Sequence, residues 1–127
     1  MAQMPSFDHE KLDVYRLAVD FAQWVGELLD GPLKECKADL VKHLDESSRS
    51  TVRNIAEGNG RRSRADRCRF FDISRGSALE CAADLDLLVA RKHLDVRVAQ
   101  QGKAMLVRVV SMQIKLIERL VGAQTFT

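Results

Sequence analysis

The residues able to do chemistry in this chain gather between Ser50 and Glu80, in the run STVRNIAEGNGRRSRADRCRFFDISRGSALE. Six arginines, Arg61, Arg62, Arg64, Arg67, Arg69 and Arg75, fall within fifteen residues that hold only two acidic ones, Asp66 and Asp72, for a local charge of +4. Arginine carries a planar fork of donors suited to phosphate, so the cluster is the candidate nucleic-acid-binding surface. Arg61 and Arg62 belong to a turn, while helical spacing puts Arg64, Arg67 and Arg75 on one side of the following helix and Arg69 elsewhere. The plain alternative is a solvated helix face whose arginines pair with Asp66, Asp72 and neighbouring chains.

A second set, Asn54, Glu57, Ser77 and Glu80, is polar where an amphipathic helix needs no such groups. Asn54 and Glu57 lie one turn apart, as do Ser77 and Glu80. Facing each other across two helices, an amide, a hydroxyl and a carboxylate can satisfy one another. The expected role is a hydrogen-bond network that fixes which helices pair and in what register. No nucleophile accompanies them, so the sequence offers no catalytic residues. A glycine-rich phosphate loop, a Ser/His/Asp set and a Cys/His pair in suitable context are all missing, and neither an enzyme, a cofactor nor a small-molecule substrate is expected. His43 and Glu46 sit one turn apart, but a di-iron bundle needs two Glu-x-x-His pairs and two further glutamates, so no metal site is expected. Cys36, Cys68 and Cys81 are odd in number and far apart, which fits core packing better than a disulfide framework or a zinc site.

These residues must be positioned by a chain of 127 residues with 46% hydrophobic content, enough for one domain over residues 1–127 and too little for two. The net charge is only +2, so any attraction for a polyanion must be local. Nothing in the sequence approaches the roughly 18 apolar residues of a membrane span, and MAQMPSFDHEKLD lacks the layout of a secretory signal, which points to the cytoplasm and to no membrane partner.

Punctuation divides the chain into helices over about 10–29, 33–57, 63–93 and 96–121. The first carries Val14, Leu17, Ala18, Phe21, Val25 and Leu28 on one stripe. The second starts near Pro32, carries Leu33, Cys36, Leu40, Leu44, Ser47, Thr51 and Ile55 on one face, and stops at Gly58 in a left-handed turn. Ser63 caps the third helix, with Asp66 three residues later, and its inner stripe is Cys68, Phe71, Ala78, Cys81, Leu85 and Leu88. Gly76 is expected where two helix backbones approach closely. Asp95 caps the fourth helix, whose stripe of Val98, Met105, Val109, Met112, Leu116 and Leu120, widened by Leu106, Val110, Ile117 and Val121, implies two packing partners. Tyr15, Val19, Trp24 and Val107 lie off the stripes and call for cover by self-association. Short connections make neighbours antiparallel, so the fold expected is an all-α, up-down-up-down four-helix bundle.

The run Asn54-Ile55-Ala56-Glu57-Gly58, followed by Arg75-Gly76-Ser77-x-x-Glu80, resembles the four-helix bundle family of 23S rRNA intervening-sequence proteins. Phe7-Asp8-x-x-Lys11-Leu12-x-Val14-Tyr15-x-x-Ala18 is similar to that family's first helix. The resemblance implies a small bacterial protein that assembles as a homopentamer. It extends distantly to accessory proteins of diversity-generating retroelements, which bind nucleic acid and a reverse transcriptase. Where family members carry Gln-Leu-Arg-Arg-Ala-Ala, this chain reads His43-Leu44-Asp45-Glu46-Ser47-Ser48, so two positive charges have become two negative ones, and carboxylates repel phosphate.

Three functions stay open at this point: a homo-oligomeric scaffold binding RNA or another nucleic acid through the arginines; a protein-interaction module without nucleic-acid binding, in which Asp45 and Glu46 take part; and an enzyme using Glu57 or Glu80.

Overall fold

Apolar residues at three- and four-residue spacing decide where the helices form and which faces they bury. The computed structural model describes residues 4–125. Within them a short 3-10 turn, Asp8–Lys11, leads into α1 (Asp13–Asp30), α2 (Asp39–Gly60), α3 (Arg64–Ala90) and α4 (Val96–Thr125). No strand occurs among the described residues. Each helix packs on its sequence neighbours, and α1 also packs on α4, closing a ring of four. Neighbours run antiparallel, as the pairs across each contact show: Asp8 with Asn59 and His43 with Asp84, Thr51 with Ser74, Asp86 with Lys103 and Ser74 with Gln113, and Trp24 with Gly102. No helix among the described residues is long and apolar enough to cross a membrane.

The α1 stripe is buried as a unit: Val14, Leu17, Ala18, Phe21, Val25 and Leu28 all face the core. Opposite them stand Leu44 and Ile55 of α2, Phe71, Ala78, Cys81, Leu85 and Leu88 of α3, and Ala99, Leu106 and Val109 of α4. Burial pushes the Cys81 thiol up to about 12, so it packs as a neutral apolar group. Cys36 and Cys68 are half-buried.

Local chemistry sets two of the helix starts. The Ser63 hydroxyl accepts a hydrogen bond from the Asp66 amide at 3.1 Å, filling one of the donors a helix start leaves over. Asp95 caps α4, its carboxylate accepting from the Arg97 amide at 2.7 Å.

The start of α2 departs from the expectation drawn from Pro32. The helix begins at Asp39, six residues later than the spacing predicts, and residues 31–35 form successive turns. The Leu33 amide bonds the Leu28 carbonyl at 2.8 Å, and the Leu33 side chain, 1% exposed, plugs the end of the bundle. Burying that leucine outweighs the weak local preference for helix at Pro32.

Gly58 does not stop α2 in a left-handed turn. No glycine among the described residues has a positive φ, and the helix runs on to Gly60. What Gly58 supplies is room, because a Cβ there would stand 2.8 Å from the Phe71 ring and 3.2 Å from the Arg67 carbonyl oxygen. The close approach expected at Gly76 is absent: a Cβ there meets nothing within 4 Å. The third helix ends at Ala90, where Lys92 takes a left-handed φ of 63°. The His93 amide then bonds the Leu88 carbonyl at 2.8 Å and the Lys92 amide bonds that of Val89 at 3.0 Å, the paired pattern of a Schellman motif. Residues 122–125 continue α4 beyond its expected end, while residues 1–3 and 126–127 lie outside the described residues.

Two of the side chains expected to need a partner subunit find cover within the chain. Trp24 is half-buried, its ring seated where Gly102 leaves room, and Tyr15 is half-buried against the edge of His9 with ring centroids 4.6 Å apart. Val19 and Val107 remain exposed, at 39% and 66%.

Candidate nucleic-acid interface

The end of α2, the three-residue connection and the start of α3 bring the arginines to one corner of the bundle, where they divide into groups. Arg61 pairs with Glu57 one turn back, Nη2 to Oε2 at 3.1 Å. Arg69 faces Asp66 at 3.8 Å, and Arg75 holds Asp72 through Nε at 3.0 Å and Nη2 at 2.7 Å. Arg67 is half-buried at the α2–α3 crossing, its Nε enclosed with no hydrogen-bond partner among the described residues. Arg62 and Arg64 are exposed and form no ion pair among the described residues, and the same holds for Arg53, which is exposed beside Glu57 and Arg61 along an open groove. The expected cluster therefore narrows from six equivalent cations to Arg62 and Arg64, joined by Arg53, which the sequence pattern did not single out.

Arg61 and Arg69 have a second contact. The guanidinium carbon of each lies 4.5 Å from the centroid of the Phe70 ring. Phe70 is half-buried on α3. Helical spacing leaves Phe70 off the inner stripe of α3, and nothing in the sequence pattern ties it to the arginines, which reach it only through their side-chain placement.

The polar set resolves differently from its expected form. Asn54 donates to the Ser50 carbonyl at 2.9 Å and to the Ser50 hydroxyl at 3.1 Å, and the Ser50 and Ser77 hydroxyls bond at 2.8 Å, linking α2 to α3. Ser47 donates to Glu80 Oε2 at 3.3 Å. Glu57 belongs elsewhere: its carboxylate is turned out to Arg61, because its position on α2 faces solvent.

Deeper in the core runs a seam the sequence reading missed. Ser74 donates to the Thr51 carbonyl at 2.6 Å and receives from Gln113 Nε2 at 2.6 Å, while the Thr51 hydroxyl bonds back to the Ser47 carbonyl at 2.9 Å. The signal was present: Ser74 and Gln113 interrupt apolar rows at helical spacing, between Phe71 and Ala78 and after Val109.

At the far end of α2, His43 Nδ1 meets Asp84 Oδ2 at 2.5 Å, and its Nε2 faces Glu80 at 3.5 Å. Asp84 is buried, its side chain 7% exposed. The hydrogen bond to Asp84 and its charge raise the His43 pKa, with smaller contributions from Glu80 and Glu46 against a desolvation penalty. The imidazole thus supplies a cation to a carboxylate that would otherwise be buried alone. With Nδ1 on Asp84 and Nε2 facing Glu80, the imidazole bridges α2 and α3.

Fold and site together define a small, all-α four-helix bundle with a basic, partly aromatic corner. The chain belongs to the 23S rRNA-intervening sequence protein family, whose family model matches residues 10–115. Among solved structures it is similar to a protein of unknown function from the S23 ribosomal protein family of Bacteroides thetaiotaomicron, with a TM-score of 0.78, 23% identity, and 83% of this chain and 95% of that chain covered. At that identity the likeness speaks for the fold. No curated protein matches.

Proposed function

We propose that this protein is a non-enzymatic, self-associating cytoplasmic scaffold that binds RNA or another nucleic acid through the α2–α3 corner. The observation that carries the reading is the pair Arg62 and Arg64, exposed at the corner with no acidic partner among the described residues. A free guanidinium gains counterion release on meeting a phosphate, whereas an arginine already tied to a carboxylate gains less. The acidic pair Asp45 and Glu46 does not oppose this. It lies about 24 Å down α2 from the corner, roughly three screening lengths at physiological salt, and Asp45 is neutralised by Arg49 at 3.0 Å.

Support for self-association comes from the outer surface of α3 and α4. Leu79, Val107 and Ile114 are 48%, 66% and 40% exposed, beside an apolar groove of about 230 Å³ lined in part by Ala82, Leu106 and Val110. A homo-oligomer, a pentamer on the family resemblance, covers this face and repeats the basic corner once per subunit, which multiplies a weak single contact. The same apolar face supports the second reading, a module that docks another protein and binds no nucleic acid.

Charge reversal tests the first reading. The double variant Arg62→Glu/Arg64→Glu should abolish RNA binding in a gel-shift assay while the thermal melt stays unchanged; binding that survives the reversal overturns it. Light scattering of Leu79→Asp/Val107→Asp should report a smaller assembly than wild type.

A further inference from the structure

Resting on the nucleic-acid reading, we propose that Arg61, Phe70 and Arg69 form a stacking platform for an unpaired base, so that the corner selects single-stranded segments over duplex. Each of the two guanidinium groups has an edge and a face to account for. The edge of Arg61 is hydrogen-bonded to Glu57 at 3.1 Å and Arg69 Nε faces Asp66 at 3.8 Å, so each charge already has a carboxylate nearby. Their other attachment is to the ring, each guanidinium carbon 4.5 Å from the Phe70 centroid. Ion pairs at the edge and a ring beneath hold the two planar groups in place, and their side chains are still 44% and 61% exposed.

A delocalised planar cation held in this way is a surface on which a base stacks, and every base has such a face to offer. Bases locked in a duplex cannot present it, because both faces are already stacked within the helix. The immediate neighbours supply what a flanking backbone needs: Arg62 and Arg64 carry uncompensated charge a few residues from the stack. Adjacent residues of the corner thereby divide the work, the carboxylate-tied arginines taking the base and the free ones the phosphates. Neither contact reads a 2′-hydroxyl, so single-stranded DNA and RNA serve alike.

Fluorescence anisotropy of the full-length protein tests this with three probes: a labelled single-stranded RNA, the same strand annealed to its complement, and the DNA strand of the same sequence. Wild type is expected to bind both single strands about tenfold more tightly than the duplex, the order of effect of one lost stacking contact. Phe70→Leu should erase that preference and leave duplex affinity and its salt dependence unchanged. Arg69→Lys, which keeps the charge, lies on the surface and loses only the planar group, should do the same, so a folding defect in the Phe70 variant cannot hide the answer. Equal binding of single strand and duplex by wild type, retention of the preference in both variants, or binding of RNA and not DNA would each overturn the platform while leaving the basic corner intact. Failure of all three probes at low salt would instead remove the nucleic-acid reading on which the platform rests.

Discussion

Gln113 on α4 donates its amide to the Ser74 hydroxyl on α3 at 2.6 Å, with both side chains fully buried. The Ser74 hydroxyl in turn donates a hydrogen bond to the Thr51 carbonyl, so three of the four helices share one polar seam in an otherwise apolar core. The Oε1 of Gln113 is enclosed there with no hydrogen-bond partner among the described residues. Such a seam fixes register more than it adds stability, because a half-satisfied amide costs almost as much as its hydrogen bond returns. Ser74→Ala, which strips the Gln113 amide of its acceptor, should destabilise by ~1–3 kcal/mol in urea melts. Adding Gln113→Leu should recover part of that loss, giving a double variant less destabilised than the sum of the singles.

Much of the fold was legible because periodicity and capping are local. The α1 stripe, the Ser63 and Asp95 caps and the four-helix order follow from spacing and side-chain type alone. What escaped is what depends on a partner helix. Leu33 turns away from a helix start because the bundle end needs a plug, and Gly58 matters through Phe71 and not through its own φ. The candidate site divides in the same way. An arginine-rich turn is visible in the sequence, but which arginines are neutralised, and that Phe70 sits beneath two of them, depends on side-chain placement across the corner. Glu57, grouped with Asn54 by spacing, was separated from it by the solvent boundary of α2.

The glycines should respond in opposite directions. Gly76→Ala adds a methyl in open space and removes the helix penalty of glycine, so it should stabilise by about 1 kcal/mol. Gly58→Ala forces the new methyl against the Phe71 ring and the Arg67 carbonyl and should destabilise by ~1–3 kcal/mol. Thermal melts of the two variants compared with wild type check both signs.

Lys92 holds a left-handed backbone that L-residues adopt at a cost of roughly 1–2 kcal/mol. Lys92→Gly keeps the two Schellman hydrogen bonds and relieves that cost, part of it offset by the greater freedom of glycine in the unfolded chain. A gain of about 0.5–1 kcal/mol in urea melts is the expected result.

The His43 bridge makes one contribution to stability pH-dependent. Its pKa is raised above 6.5 in the folded protein by Asp84. The added stability is fully present below pH 6.5 and is lost as pH rises through the folded value. His43→Gln should therefore be most destabilising relative to wild type in mildly acidic buffer, and the two proteins should converge in alkaline buffer. A gap that widens with rising pH would show that the pairing has been assigned the wrong sign.

The most direct test of the central claim is the salt dependence of RNA binding by the wild-type protein. Purified protein is titrated into a labelled, structured RNA and the affinity followed by anisotropy at several salt concentrations. A multivalent arginine corner predicts affinity that falls linearly, on logarithmic axes, with a steep slope reporting several displaced counterions. Absence of binding at low salt, or an affinity indifferent to salt, would contradict the account and leave the apolar α3–α4 face, directed at another protein, as the functional surface.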